Sequence, residues 1–280
     1  MKLSLCLAVY NEEKNIHYPL KSAIDLVDEV VIVDGGSTDK TVEIAKSYGK
    51  KVKIINTDNP AMFHNNKQKA IDEARGEWIL QLDADEELSE ELKKEIIELL
   101  QIQKSIRQLA DKNQNENSKL KMEEKKNENI VAYWIPRKNW FLTKFLEKGG
   151  VYPDYTIRLY KKGVARFPCR DVHENVEIKG KIGYLKNPIL HYADPDFSRY
   201  LMRWDRYTTL EVQNEKFKIQ NEGKNQVLMF FEFIIWKPAT TFFSMYFRHL
   251  GFLDGFPGFV FALFSSIRFW VIYIKWKSSN

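Results

Sequence analysis

The chain has 280 residues, 44% of them hydrophobic and 29% charged, with 43 Lys and Arg against 38 Asp and Glu for a net charge of +5. That length holds one large domain or a domain with a sizeable appendage, and the modest positive charge permits an anionic partner without arguing for nucleic acid. Two distant cysteines, Cys6 and Cys169, with no C-x-x-C spacing argue against a disulfide framework or a structural zinc and for a reducing compartment.

The opening MKLSLCLAVYNEE has too short an apolar stretch, and no small-residue cleavage pattern, for a signal peptide. It reads as a buried strand over 3–9, and the chain is expected to be cytoplasmic. EEKNIHYPLKSAIDLV (12–27) carries helical spacing, EVVIVD (29–34) is a β-branched strand, and TVEIAKSYG (41–49) is a helix stopped by Gly49. KVKIIN (51–56) is a third strand, HNNKQKAIDEARG (64–76) a helix ending on glycine, and EWILQLD (77–83) a fourth strand. The alternation implies right-handed crossovers and a mostly parallel sheet flanked by helices. Ligands of such sheets sit beyond the carboxyl ends of the strands, where Asp34 and Asp83 fall.

From Ser89 a strongly periodic helix, SEELKKEIIELLQIQ, gives way to an Asn-, Lys- and Glu-rich stretch over about 104–129. That stretch reads as a solvated insertion unable to bury its own core. Apolar content resumes at IVAYWIP (130–136). Residues 226–280 form an aromatic helical extension, uncharged from Gly255 to Ile267 until Arg268 breaks the run. A bilayer span needs roughly 20 apolar residues. A pair of interfacial helices fits better, and two helices packed onto the domain is the alternative.

The chemistry concentrates at LDADE (82–86). Asp83 and Asp85 point to one side if the chain stays extended, a hard-oxygen site suited to magnesium or manganese with substrate phosphates completing the shell. Alternatively the pair is an acidic cap for the next helix, although Ser89 can cap it unaided. In VIVDGGSTDKT (31–41), Asp34 can accept from a base or ribose while Gly35 and Gly36 allow close backbone approach; an ordinary strand-to-helix turn is the other reading. Neither GxGxxG nor GxxxxGK[ST] occurs. Asp154 and Arg158, on one side of a strand in YPDYTIRLY, suit either a binding cleft with an arginine clamp or a structural salt bridge.

The order AVYNEE (8–13), VDGGSTD (33–39) and LDADE resembles the family 2 glycosyltransferases, which have the GT-A nucleotide-sugar-binding fold. GGVYPDYTIRLYKKG (149–163), RDVHENV (170–176) and NPILHY (187–192) are similar to the branch that contains lipopolysaccharide-core glucosyltransferases. The resemblance covers roughly residues 1–100 and 130–260. It implies an α/β, Rossmann-like GT-A domain, taken as 1–225; 226–280 is a separate C-terminal helical region for which membrane association and packing onto the domain both stay open.

By the same resemblance Ala8, Tyr10 and Glu12 lie near the nucleotide; Lys67, Asp154 and Arg158 are further candidate nucleotide-sugar contacts. Asp34 takes the uridine-pocket position, although many relatives have two consecutive acids where this chain has Asp34-Gly35. Asp85 is the direct metal ligand, Asp83 reaches metal or ribose, His191 is a further metal or diphosphate contact, and Glu174 is the general base.

The implied activity is metal-dependent, inverting transfer from a UDP-sugar, glucose first, to a hydroxyl of a lipid-linked or lipopolysaccharide-core glycan at the inner membrane face, with no nucleic-acid partner. A divalent ion stabilises the charge of a departing diphosphate without a proton donor, and an acceptor hydroxyl needs a carboxylate to take its proton. A nucleotide-sugar-binding scaffold without turnover and a magnesium-dependent phosphoryl-transfer enzyme are the competing classes.

Overall fold

The computed structural model describes residues 2–60, 62–112, 130–169, 176–194, 196–214, 217, 223 and 225–279. The chain forms two compact units, Met1–Arg137 with Tyr155–His191 and Lys138–Asp154 with Tyr192–Asn280.

In the first unit β1 (Leu3–Val9), β2 (Glu29–Asp34), β3 (Val52–Asn56) and β4 (Trp78–Gln81) alternate with α1 (His17–Ala23), α2 (Thr41–Ser47) and α3 (His64–Glu73). β1 pairs in parallel with β2 and β4, and β2 in parallel with β3. Every residue of β2 is buried, as expected of a strand covered on both faces. Alternation along β1 sends Leu3, Leu5, Leu7 and Val9 to one core, with Leu20 of α1, and Cys6 to the other, with Ala70 and Ile71 of α3.

Beyond β4 the sheet is mixed. The later strands are β5 (Glu86–Leu88), β6 (Ile130–Phe141), β7 (Lys144–Phe145), β8 (Asp154–Lys161), β9 (Ala165–Arg166), β10 (Glu177–Ile178), β11 (Lys181–Tyr184) and β12 (Ile189–Asp194). The main order is β3-β2-β1-β4-β8-β6-β12-β5, with β8 antiparallel to β4 and β12 antiparallel to β5. The α/β architecture expected of the sequence is therefore present.

α4 (Glu90–Lys112) is capped by Ser89, whose Oγ accepts from the Leu92 N–H at 3.1 Å. β5 lies between this helix and Asp83 and Asp85, so the helix start does not use that pair. The charged stretch expected from about 104 begins as more of α4; residues 113–129 lie outside the described ones.

The second unit holds α5 (Phe197–Gln213), α6 (Gln226–Arg248) and the helix Gly251–Ser279, here α7. Asp196 caps α5 by accepting from the Arg199 N–H, and Asn225 caps α6 by accepting from the Val227 N–H. Two widened π turns, Phe231–Trp236 and Ser244–Arg248, interrupt α6, and α7 opens on a 3₁₀ turn. Buried Asp254 in that turn accepts from the N–H groups of Glu147 and Lys148 at 3.0 and 2.8 Å and pairs with Lys144 at 3.0 Å.

Candidate functional site

Two groups of residues meet the carboxyl ends of the parallel strands. The first joins the loops after β1 and β2. β1 and β2 run in register with Ala8 opposite Val33 and Val9 opposite Asp34, which delivers both loops together. The Asn11 N–H donates to Ser37 Oγ at 2.9 Å and the Thr38 N–H donates to Asn11 Oδ1 at 2.8 Å. The Glu12 N–H donates to Thr41 Oγ1 at 2.7 Å, and the Glu13 N–H to Asp39 Oδ2 at 3.0 Å. Glu12 is held in turn by the Asn15 side-chain amide at 2.7 Å, while Tyr10 stays exposed.

Asp34 is buried and organises its own turn. One oxygen accepts from Ser37 Oγ at 2.5 Å; the other accepts the N–H groups of Gly36 and Ser37 at 3.1 and 3.0 Å. Gly36 has φ of +83°, a left-handed conformation that a side chain would strain. Two carboxylate oxygens carry more acceptor sites than these three donors fill.

The second group is a packed set of charges. Asp83 follows β4, and its Oδ1 lies 2.5 Å from Lys67 Nζ on α3. Its Oδ2 lies 2.5 Å from Arg158 on β8. The same guanidinium reaches Glu86 at 2.8 Å and Gln81 Oε1 at 2.8 Å. Glu86 is fully buried; its other oxygen accepts the Asp83 N–H at 2.9 Å, and Arg137 approaches at 3.4 Å.

Burial works against the Asp83 carboxylate, but Arg158 and Lys67 overcome it and hold the carboxyl well below the usual range. Burial also works against the Arg158 charge, and Asp83 and Glu86 reverse that, raising its pKa. For Lys67 burial dominates and lowers the ammonium despite Asp83.

On the far side of the motif β12 runs antiparallel to β5, putting His191 opposite Glu86. From there His191 Nε2 lies 3.5 Å from Asp85 Oδ1. Among the described residues no three acidic, histidine or cysteine side chains converge as a metal-holding group. The donor set still fits magnesium or manganese, which commonly take one or two protein groups and complete the shell with water and substrate phosphates. Asp85 and His191 are the side chains that would hold it; both oxygens of Asp83 face cations.

A pocket of about 150 Å³ opens beside these charges, lined by His64, Lys67, Arg137, Thr156, Arg158 and Phe167 among others. His64 stacks on Phe167 at 4.9 Å, and Arg158 Nε is buried with no hydrogen-bond partner among the described residues. Glu174 lies outside the described residues. Asp154 opens β8 in the second unit and accepts from the Asn139 amide at 3.1 Å.

Sequence reasoning missed Glu86, Gln81, Arg137 and His64. Only Glu86 left a signal, as the third acid of LDADE.

The model described as glycosyl transferase family 2 matches residues 4–165. A relative from Rickettsia bellii, named an uncharacterized glycosyltransferase, is 29% identical and aligns over 96% of this chain and 84% of its own. The lipopolysaccharide core biosynthesis glycosyltransferase LpsC of Rhizobium meliloti is 23% identical over 96% of this chain and 92% of its own. Among solved structures, S. aureus TarS 1-349 in complex with UDP is similar, with a TM-score of 0.47 and 16% identity over 100% of this chain and 92% of that one. The matched residues 4–165 span more than half of the chain and take in both stitched loops and the Lys67–Asp83–Glu86–Arg158 charges; this protein belongs to glycosyl transferase family 2.

Proposed function

We propose that the chain transfers a sugar, glucose first, from a UDP-sugar to a hydroxyl of a lipid-linked or lipopolysaccharide-core glycan, with inversion at the anomeric carbon. The observation that carries this reading is the grip of Lys67 and Arg158 on Asp83, beside the Asp85–His191 pair at the sheet's carboxyl edge. The kinship with LpsC supports the acceptor class.

In this reading the loops of Ala8, Tyr10, Glu12 and Asp34 receive the nucleoside. Asp83 orients Lys67 and Arg158 toward the diphosphate, whose growing charge those cations stabilise as it leaves. The buried Arg158 Nε supplies a further donor for a phosphate oxygen. Asp85 and His191 would hold a magnesium or manganese ion, which would supply Lewis-acid stabilisation of the same leaving group. Glu174 takes the acceptor's proton, and Asp154 contacts the donor. The reaction runs at the inner face of the cell membrane, with residues 1–225 as the catalytic domain and 226–280 as its membrane-side extension.

The test is release of UDP from a panel of UDP-sugars with manganese and a lipopolysaccharide-core acceptor, with the product anomer read by NMR. Asp85→Ala is expected to lose transfer by at least about a hundredfold while keeping its fold. Glu174→Gln is expected to lose turnover with donor affinity retained. Full activity of Asp85→Ala removes the metal assignment, an unchanged rate in Glu174→Gln removes the base, and donor binding without turnover by wild type makes the chain a scaffold.

A further inference from the structure

Both α6 and α7 are long and apolar enough to cross a bilayer, a test that the core helix of a soluble protein also passes. A core helix is mostly buried. Here the most apolar windows of the two helices are only 17% and 39% buried.

The exposed residues are arranged. On α6, Val227, Phe231, Ile235, Ala239, Phe243 and Phe247 recur at every fourth position, all exposed. On α7, Phe256, Phe259, Leu263, Ile267, Trp270 and Ile274 recur three or four apart, each at least partly exposed. Spacings of three and four keep residues on one face of a helix. Neither stripe contains a charge, and a groove of about 500 Å³ between them is lined by Ile235, Phe243, Phe259 and Trp270 among others.

Several polar groups of the pair are satisfied within the unit. Pro238 has no N–H to give the Ile234 carbonyl four residues earlier, and Trp270 Nε1 donates to that carbonyl at 2.8 Å. Ser266 Oγ donates to the Pro238 carbonyl at 2.7 Å. Lys237 turns to Glu232 at 2.8 Å and lies 3.6 Å from the centre of the Phe233 ring. Such accounting is what a hydrocarbon environment requires of a helix and water does not.

The other side of α7 is tied down along its length. Asp254 binds the 144–148 loop at one end, Trp204 Nε1 of α5 donates to the Phe264 carbonyl in the middle, and Lys275 bonds Asp205, Thr208 and Thr209 at the other end. Lipid can therefore reach α7 from one side only. A spanning hairpin would be exposed to lipid all round.

We propose that this two-helix face lies flat in one leaflet, its axes along the membrane plane, with lipid acyl chains filling the groove. The face is about 35 Å long, from the 23 residues of α6. Its ends carry the exposed cations Arg248 and Lys277, suited to anionic headgroups. This deepens the membrane-side reading above, but it stands apart from the donor site: vesicle binding with no UDP-sugar turnover would remove the transferase reading and leave the face intact.

The experiment is flotation of the full chain with vesicles of phosphatidylethanolamine and phosphatidylglycerol, at low salt and again at high salt. Wild type is expected to float in both, because the contact is chiefly apolar. The triple variant Ile235→Glu, Phe256→Glu, Ile274→Glu, all at exposed positions, is expected to lose partitioning by more than about tenfold with an unchanged melting temperature. Arg248→Cys in oriented vesicles is expected to react with an impermeant maleimide from the side of the catalytic unit. Wild type that stays behind, a variant that floats equally, or Arg248→Cys labelled only from the opposite side would each overturn the proposal. So would a wild-type dimer in lipid-free solution that the triple substitution makes monomeric without changing flotation.

Discussion

The two units treat polar groups in opposite ways. The first buries charge and surrounds it with counter-charge: Glu86, Arg158 and Lys67 leave the solvent together, with Asp83 partly buried between them. The second leaves apolar side chains outside and turns its polar groups inward, as with Asp254 on the 144–148 loop and Trp270 on a proline-freed carbonyl. On the readings proposed above, charge is kept dry where a diphosphate would be held, and apolar surface is kept bare where a lipid would be met. The contrast teaches that burial in this chain follows the ligand expected at each place.

Breaking the charged cluster gives the largest expected effect. Arg158→Met is about isosteric and leaves buried Glu86 and partly buried Asp83 without their shared cation, which costs about 3–5 kcal/mol in a denaturant titration. The folded-state pKa of Asp83 is depressed, so its contribution is present above the unfolded value near 3.9 and is lost as pH falls through the depressed one. The deficit of Arg158→Met relative to wild type is therefore expected to hold from about pH 7 to about pH 4 and to shrink only as the pH is lowered below about 4. A pH-independent deficit would mean that the guanidinium serves packing alone.

The matching break in the second unit is Asp254→Ala, which strips two N–H groups and Lys144 of one buried acceptor. The expected loss is about 2–3 kcal/mol by thermal melting, with UDP-sugar binding unchanged. Equal loss of donor affinity would contradict the separation drawn between the units.

How much of this was legible follows the same contrast. Strands β1 to β4 could be read because strands buried on both faces are near-continuous apolar runs between amphipathic helices. Asp34 and Asp83 were then fixed at strand ends by position alone. The cation pair on Asp83 could not be read, because Arg158 is 75 residues away and reaches it only through the antiparallel pairing of β8 with β4. Glu86 stood in plain sight in LDADE, yet only the register with His191 and the contact with Arg158 give it a place. In α6 and α7 composition flagged the region, but residues apolar nearly all round a helix give periodicity nothing to choose a face with. The choice came from what packs behind.

The smallest expected effect probes that backing most finely. Trp270→Phe keeps an aromatic ring but removes the indole N–H that serves the Ile234 carbonyl beside Pro238. In water the loss is expected to be about 1 kcal/mol, since solvent can reach this exposed bond and serve the carbonyl instead. On vesicles no water is at hand, so the same substitution is expected to cost more there, read as a larger difference in protection of the α6 amides by hydrogen exchange. If the cost is the same with and without lipid, the bond is an ordinary helix–helix contact and the front of the pair stays wet.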